Sequence, residues 1–326
     1  MSGMETKLVR VDTSCGSHVG NLHLPSCNVL MSTYNGEKYI SDQMNSILFQ
    51  EGVSVRVAIR DDGSTDGTRD LLFKYRQANP RAASIDLGEN MGFLKSFEKI
   101  LLNSHHAEFY AFSDQDDVWD TEKLRRAIGV LEKSGDSPAF YASSVLITDQ
   151  NLKPLSCNSF PNFTYSIASE FVRHRLAGHT MVWNEALQSK IREVGLLPVW
   201  SHDQHVVLVA LLVGATCYLD SASWVRHRRL DASITPGGGS PIKRLKHELA
   251  LINNRGNLMD RRKLAESLLG LEEVFISQND ERFLKMVARY QDSCRSRFEL
   301  FCSPYLQCGV GAGNVEARVS VALGRF

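Results

Sequence analysis

The chain has 326 residues, 43% of them hydrophobic and 23% charged, with 37 basic and 37 acidic side chains and no formal net charge. This is enough apolar material for one large domain with a smaller appendage, and too much for a disordered chain. Neutrality excludes a protein that binds through a broadly basic face, so no nucleic-acid partner is expected.

Residues 1–26 are polar, lack periodicity and contain no signal-peptide h-region, which predicts a flexible N-terminal extension. From Asn28 the texture changes to short β-rich runs, each followed by helical spacing. Val29–Met31 precedes Ile40, Met44, Ile47 and Leu48; Val55–Ile59 precedes DDGSTDGT and then Leu71, Leu72 and Tyr75, with Ser64 or Asp66 as the expected helix cap. A strand over Ala83–Leu87 precedes Leu94, Phe97, Ile100 and Leu101, and Phe109–Phe112 precedes a helix carrying Leu124, Ala127, Ile128 and Leu131. Such strand-then-helix units describe an α/β fold with a mostly parallel sheet flanked by helices, whose ligands bind beyond the carboxyl ends of the strands. The polar segments STYNGE, DDGSTDG, GENMG and SDQDD all fall at those ends.

After residue 135 a strand is expected over Phe140–Ile147, then an irregular stretch over Asn151–Phe163, then helical spacing and a further strand up to Arg229. Residues 233–241 read as a Gly/Pro-rich linker or lid, and residues 242–326 as a mostly helical region with Leu245, Leu249 and Ile252 on one side. The longest apolar run, Val206–Leu219, is too short to span a bilayer, which takes roughly 20 apolar residues. Seven cysteines without a CxxC pair point to reduced thiols and a cytoplasmic location.

Asp114-Gln115-Asp116-Asp117 concentrates three carboxylates in four residues after an apolar strand. They repel one another unless solvent or a cation compensates, and a hard cation such as Mg2+ or Mn2+ is held by carboxylates together with phosphate oxygens. The alternative is a solvated acidic turn capping the next helix. Asp61-Asp62-Gly63-Ser64 offers acceptors for a base N–H or a ribose hydroxyl, or else a capped turn. Tyr34 either stacks on a base or fills the sheet rim.

Taken together and in order, VLMSTYNGEKYI, RDDGSTDGT, ENMGFLKSFEKIL and FSDQDDVW resemble family 2 glycosyltransferases of the GT-A fold, close to the bacterial branch that includes rhamnosyltransferases of cell-surface polysaccharides. The resemblance runs from about Asn28 to His227 and defines a domain over residues 27–232. It implies an inverting transfer of a sugar, rhamnose among the candidates, from a dTDP- or UDP-linked donor to an acceptor glycan, lipid-linked or polymeric. By likeness, Ser32, Tyr34, Asp62 and Asp114 would bind the nucleotide, and Asp116 and His227 the metal. Asp61 and Asp117 would support them, and Gly178, His179 and Thr180 would line the acceptor or donor-sugar side. Asp203 would be the general base, although it also stands where a helix over Gln204–Leu212 begins and would serve there as an N-cap. Trp119 fits the aromatic behind the acidic motif or the core, and Arg226, Arg228 and Arg229 fit phosphate partners or a solvated loop.

Two other functions are carried alongside. A nucleotidyltransferase shares such a sheet but needs a glycine-rich basic loop where this chain has TYNGEKY. A non-catalytic partner in a glycan assembly complex would not need the acidic motifs. Lys243, Arg244, Lys246, Arg261, Arg262 and Lys263 suit peripheral contact with the inner face of the membrane, or the C-terminal region mediates homo-oligomer contacts; a solvated charged helix face is the plainer reading.

Overall fold

The computed structural model describes residues 7–11, 23–80, 83–160, 162–229, 260–272, 274 and 276–326. The linker 233–241, Lys243, Arg244, Leu245, Lys246, Leu249 and Ile252 lie outside the described residues.

Strands β2 (Ser26–Thr33), β3 (Ser54–Asp61), β4 (Ala83–Leu87) and β5 (Phe109–Ser113) are each followed by a helix: α1 (Ile40–Leu48), α2 (Thr68–Ala78), α3 (Phe93–Asn103) and α4 (Lys123–Leu131). A two-residue strand, β6 (Val118–Trp119), stands between β5 and α4. The chain continues through β7 (Ala139–Thr148), β8 (Pro154–Asn158), α5 (Ile167–Val172), β9 (Val182–Asn184), α6 (Glu185–Val194), α7 (His202–Leu212) and β10 (Thr216–Arg228). With β1 (Lys7–Val11) these strands form one sheet in the order β1-β10-β7-β9-β5-β2-β3-β4, with β6 paired to β10 and β8 to β7. The expected mostly parallel α/β sheet is present; β9 runs antiparallel between β5 and β7.

The central strands read as continuous apolar runs because both faces are covered. Along β2, Leu30 packs into one core with α3 and α7, while Val29 and Met31 point into the other with α1 and α4. Helix α7 is buried from Gln204 through Leu212, which explains why VVLVALL is apolar on every side. No helix among the described residues is long and apolar enough to cross a membrane.

Four local expectations are corrected. Residues 7–11 are not an unstructured extension: KLVRV forms β1, parallel to β10 from Lys7↔Thr216 to Val11↔Asp220. The stretch after Asn151 contains β8, antiparallel to β7. The residue preceding α2 is Gly67, whereas Asp66 accepts from the Thr68 N–H (3.1 Å) and Ser64 turns to Asp61. Arg261 is not a solvated cation, since it is buried in the C-terminal region, where it donates to the Phe171 carbonyl (2.7 Å) and lies over the Phe326 ring (4.5 Å). That region contains α8 (Arg261–Leu269), α9 (Gln278–Arg289), α10 (Cys294–Phe301) and α11 (Gly311–Ala322). Asp260, Ser277 and Ser293 cap the first three by accepting backbone N–H groups.

His205 is fully buried on α7, and burial followed by the nearby His202 charge pushes its imidazole down to about 4. The unfolded chain, with an ordinary value near 6.5, therefore takes up this proton first. The stabilising contribution is complete above about pH 6.5 and is lost as pH falls toward 4. Urea unfolding at pH 7 and pH 5 is expected to show His205→Gln losing ~2 kcal/mol less than the parent chain over that interval.

Candidate active site

The parallel register sets the ends of four strands side by side. Thr33 pairs with Asp61, Asp61 with Leu87, and Met31 with Ser113, so the loops after β2, β3, β4 and β5 share one rim. Side chains then tie these loops together. Gln115 accepts from the Tyr34 N–H (2.9 Å) and donates to the Tyr34 carbonyl (3.0 Å), joining the first loop to the last. Ser32 donates to Ser96 on α3 (2.7 Å), while the Tyr34 ring remains exposed.

The two adjacent aspartates after β3 face different partners. Asp61 is buried and accepts from Thr33 Oγ1 (3.2 Å), the Ser64 N–H (3.1 Å), Ser64 Oγ (2.5 Å) and Arg69 Nε (2.5 Å). Burial pushes its carboxyl up, but the Ser64 and Arg69 contacts prevail and hold it below the usual range. Asp62 accepts from Arg60 (3.1 Å), the Met91 N–H (3.0 Å) and the Gly92 N–H (2.9 Å). Gly92 has φ +87°, a conformation that favours glycine, and this turns its amide onto the carboxylate. Asp62 thus organises the GENMG loop.

At the end of β5 the acidic motif meets two imidazoles brought by distant segments. The short strand β6 pairs antiparallel with β10, Trp119 opposite Val225 and Val118 opposite Arg226, which delivers His227 to Asp117. Strand β9 pairs with β5, and the 3-10 turn Gly178–Thr180 just before it delivers His179 to Asp114. His227 Nδ1 lies 2.8 Å from Asp117 Oδ1, and His179 Nδ1 lies 3.0 Å from Asp114 Oδ2 and 3.6 Å from Asp117 Oδ2. The two rings stack at 4.8 Å. One ligand atom from each of Asp114, Asp117, His179 and His227 lies within 4.8 Å of the others.

The charges respond to this crowding. Burial raises Asp114, but the His179 hydrogen bond and charge outweigh it and hold the group low. Burial, then the charges of Asp117 and Asp114, push Asp116 up to about 7. Burial opposes the charge on His227, yet its bond to Asp117 carries it to about 9.

Asp203 lies in the first turn of α7; the N-cap position expected for it is held by Ser201, which makes no side-chain cap bond, and Asp203 itself takes up a first-turn amide. Its Oδ1 accepts from the Ser201 hydroxyl and from the Gln204 N–H (2.9 Å), and its Oδ2 from the Gly178 N–H (3.1 Å). A Cβ on Gly178 would sit 2.7 Å from His202 Nε2, so this approach requires glycine. Asp203 and His179 therefore meet at the same turn.

Of the residues singled out from sequence, Ser32, Tyr34 and Asp62 share the first part of the rim, and Asp114, Asp116, Gly178, His179, Thr180, Asp203 and His227 its far part. Asp117 and His179 enter the ligand cluster, where sequence reasoning had one as support and the other beside the sugar; Asp116 is outside that set of four. Which carboxylates of DQDD converge depends on the β6–β10 pairing, which carries no local signal. Arg228 is spent on Asp42 (2.5 Å) and the Gln150 carbonyl (2.9 Å) and is not a phosphate partner. Trp119 is core, its ring under the Lys123 ammonium (3.2 Å).

The chain is similar to known glycosyltransferases. The model of the family described as "Glycosyl transferase family 2" matches residues 28–179. TuaG of Bacillus subtilis is 32% identical over 125 residues, 38% of this chain and 49% of that protein. The dTDP-rhamnosyl transferase RfbG of Shigella flexneri is 34% identical over 105 residues, 31% of this chain and 36% of its own length. The match thus spans about half of the first relative and about a third of the second. The crystal structure of Staphylococcus aureus TarS 1–349 in complex with UDP-GlcNAc aligns over 92% of this chain and 91% of that one, with TM-score 0.53 and 18% identity, which establishes the shared GT-A fold.

Asp61 carries the coupling between the β2 and β3 loops. Asp61→Asn leaves Arg69 without its carboxylate and is expected to lower unfolding stability by roughly 2–4 kcal/mol, allowing for the partial exposure of Arg69. Urea denaturation at pH 7 measures this loss.

Proposed function

We propose, since residues 28–179 belong to glycosyl transferase family 2, that this chain is an inverting glycosyltransferase moving a sugar from a nucleoside-diphosphate donor to an acceptor glycan of a bacterial cell-surface polysaccharide. The observation that carries this reading is the turn Gly178–Thr180, which binds Asp203 through its first amide and presents His179 to the acidic cluster through its next residue. A proton acceptor and an anion-compensating centre thereby lie at one cleft edge.

The cluster fits a divalent cation on its own chemistry. Asp117 Oδ2 and His179 Nε2 are buried without hydrogen-bond partners, and the donor set is two carboxylates and two imidazoles. Imidazole ligands favour manganese over magnesium, with Asp116 beside the set as a further carboxylate. A bound cation would offset the charge building on the departing diphosphate. The chain's own groups do the rest. The exposed Tyr34 ring receives the nucleoside, with Ser32 and Asp62 ordering the loops around it, and the donor is a dTDP- or UDP-sugar by analogy with the donors in the relatives' names. The acceptor hydroxyl oxygen bonds to the anomeric carbon as the bond from that carbon to the diphosphate oxygen breaks with its electron pair. The hydroxyl proton passes to Asp203.

Peripheral membrane contact or self-association through the C-terminal region belongs to the same reading, supported by exposed Phe298, Val315, Val319 and Leu323 on α10, α11 and the residue after it.

Two measurements test the proposal. With manganese present, a dTDP- or UDP-sugar is expected to raise the melting temperature; a response to nucleoside triphosphates alone would favour nucleotidyl transfer. Asp203→Asn is expected to lower kcat by about 10²–10⁴-fold with donor affinity unchanged, whereas Asp117→Ala removes metal-dependent transfer. Full transfer by either variant overturns that residue's role.

A further inference from the structure

Behind Asp203 lies a second, buried group of charges that the transfer chemistry described above does not use. Glu170 on α5 and His174, four residues later, are almost completely buried: their side chains are 1% and 5% exposed. Glu170 Oε2 lies 2.5 Å from His174 Nδ1, and the opposite ring nitrogen, Nε2, faces Asp203 Oδ1 at 3.4 Å. A carboxylate, an imidazole and a second carboxylate thus stand in line, the last 15% exposed toward the cleft. Gln204 Nε2 donates to the Glu170 carbonyl (3.1 Å), which fastens α5 to the first turn of α7. Trp200 meets the His174 ring edge-on at 6.4 Å.

We propose that Glu170 and His174 are positioning residues for Asp203: a buried carboxylate–imidazolium–carboxylate chain that keeps the base ionised and directs one of its oxygens at the acceptor. This rests on the reading of Asp203 as the base. Oδ1 accepts from the Ser201 hydroxyl and the Gln204 N–H and is faced by the His174 ring as an ion pair at 3.4 Å, whereas Oδ2 accepts from the Gly178 N–H and keeps a lone pair for the incoming proton.

The physical need is plain. A carboxylate in this position is pushed up by burial and, left alone, would be protonated and useless as a base. The His174 charge, with His202 and Ser201 behind it, reverses the shift and holds Asp203 well below the carboxylate range. His174 in turn is buried, which by itself would discharge it; Glu170 and Asp203 together keep it protonated. The other titratable groups facing the chain are His202, on which Asp114 and His179 also act, and Tyr165 and Cys217 on the Glu170 side. Burial and the Glu170 charge push the Tyr165 phenol up, and burial does the same to the Cys217 thiol, so both stay neutral. One net negative charge therefore rests in the chain before transfer, and the acceptor's proton neutralises it.

The test compares the parent chain with Asp203→Asn, His174→Asn and Glu170→Gln, measuring kcat and donor KM from pH 5 to 9. The parent chain, with Asp203 held well below the carboxylate range, is expected to show no acid limb of kcat from this group between pH 5 and 9, whereas His174→Asn brings one into that interval, with a loss of at least ~10-fold at pH 7 and donor KM within about twofold. The near-isosteric Glu170→Gln is expected to shift the limb in the same direction by less. A merely structural role would lower melting temperature and donor affinity without moving the limb, and that result overturns the proposal. Inactive Asp203→Asn with unmoved profiles in the other two sinks the chain alone, while full activity in Asp203→Asn sinks the base reading first. Should the His174 variant fail to fold, nitrogen NMR of the parent chain decides: a His174 imidazolium persisting at pH 8 supports the proposal, and a neutral ring there refutes it.

Discussion

The arrangement depends on one electrostatic constraint: three carboxylates crowded at the buried end of β5 must be balanced. Asp117 has no exposed surface, and Asp116 is driven up to about 7 by burial and by its two neighbours. Balance comes from imidazoles supplied by remote segments, His179 from the turn before β9 and His227 from β10. Neither segment has a reason in local propensity to stop where it does. The short β6–β10 pairing and the antiparallel insertion of β9 make sense as devices that hold positive or metal-binding groups against this acidic end.

Much of this was legible in the amino-acid order because parallel strands impose regularity. A strand buried on both faces must be apolar throughout, its helix must be one-sided, and its polar loop must fall at the carboxyl rim. Hence STYNGE, DDGSTDG, GENMG and SDQDD are neighbours in space as they are analogues in position. The acidic tetrad itself announced a compensated site. Illegible features share a different physics, that of long-range partners. β1 has only five residues and gains its order by pairing with β10 more than 200 positions away. Arg261 looks like any surface cation in sequence and is buried because Phe171 and Phe326 happen to meet it.

The same distinction separates Asp61 from Asp62 and Asp203 from a simple helix cap. In sequence each is an aspartate at a turn. In the folded chain Asp61 has its oxygens filled by Thr33, Ser64 and Arg69 and acts as a structural knot, while Asp62 positions the backbone at Met91 and Gly92. Ser201 holds the N-cap position of α7 and donates to Asp203, which takes the Gln204 amide with one oxygen and the Gly178 amide with the other. Assigning a carboxylate therefore means counting its donors, not noting its place before a helix.

Gly178 shows how tightly the two charge systems are joined. Its amide holds Asp203, the residue after it bonds Asp114, and a side chain at this position would strike His202, which stacks on Phe97 at 3.7 Å. A displacement of this turn would move the amide that holds Asp203 and the His179 imidazole together. Within the turn the spacing of the amide that holds Asp203 and of His179 is set by one residue, while Asp203 itself is placed by α7 and the rest of the cluster by the β5 loop and β10. In the proposed transfer, where proton removal from the acceptor and diphosphate departure must coincide, sharing one turn couples the two charge systems more directly than two separate loops would.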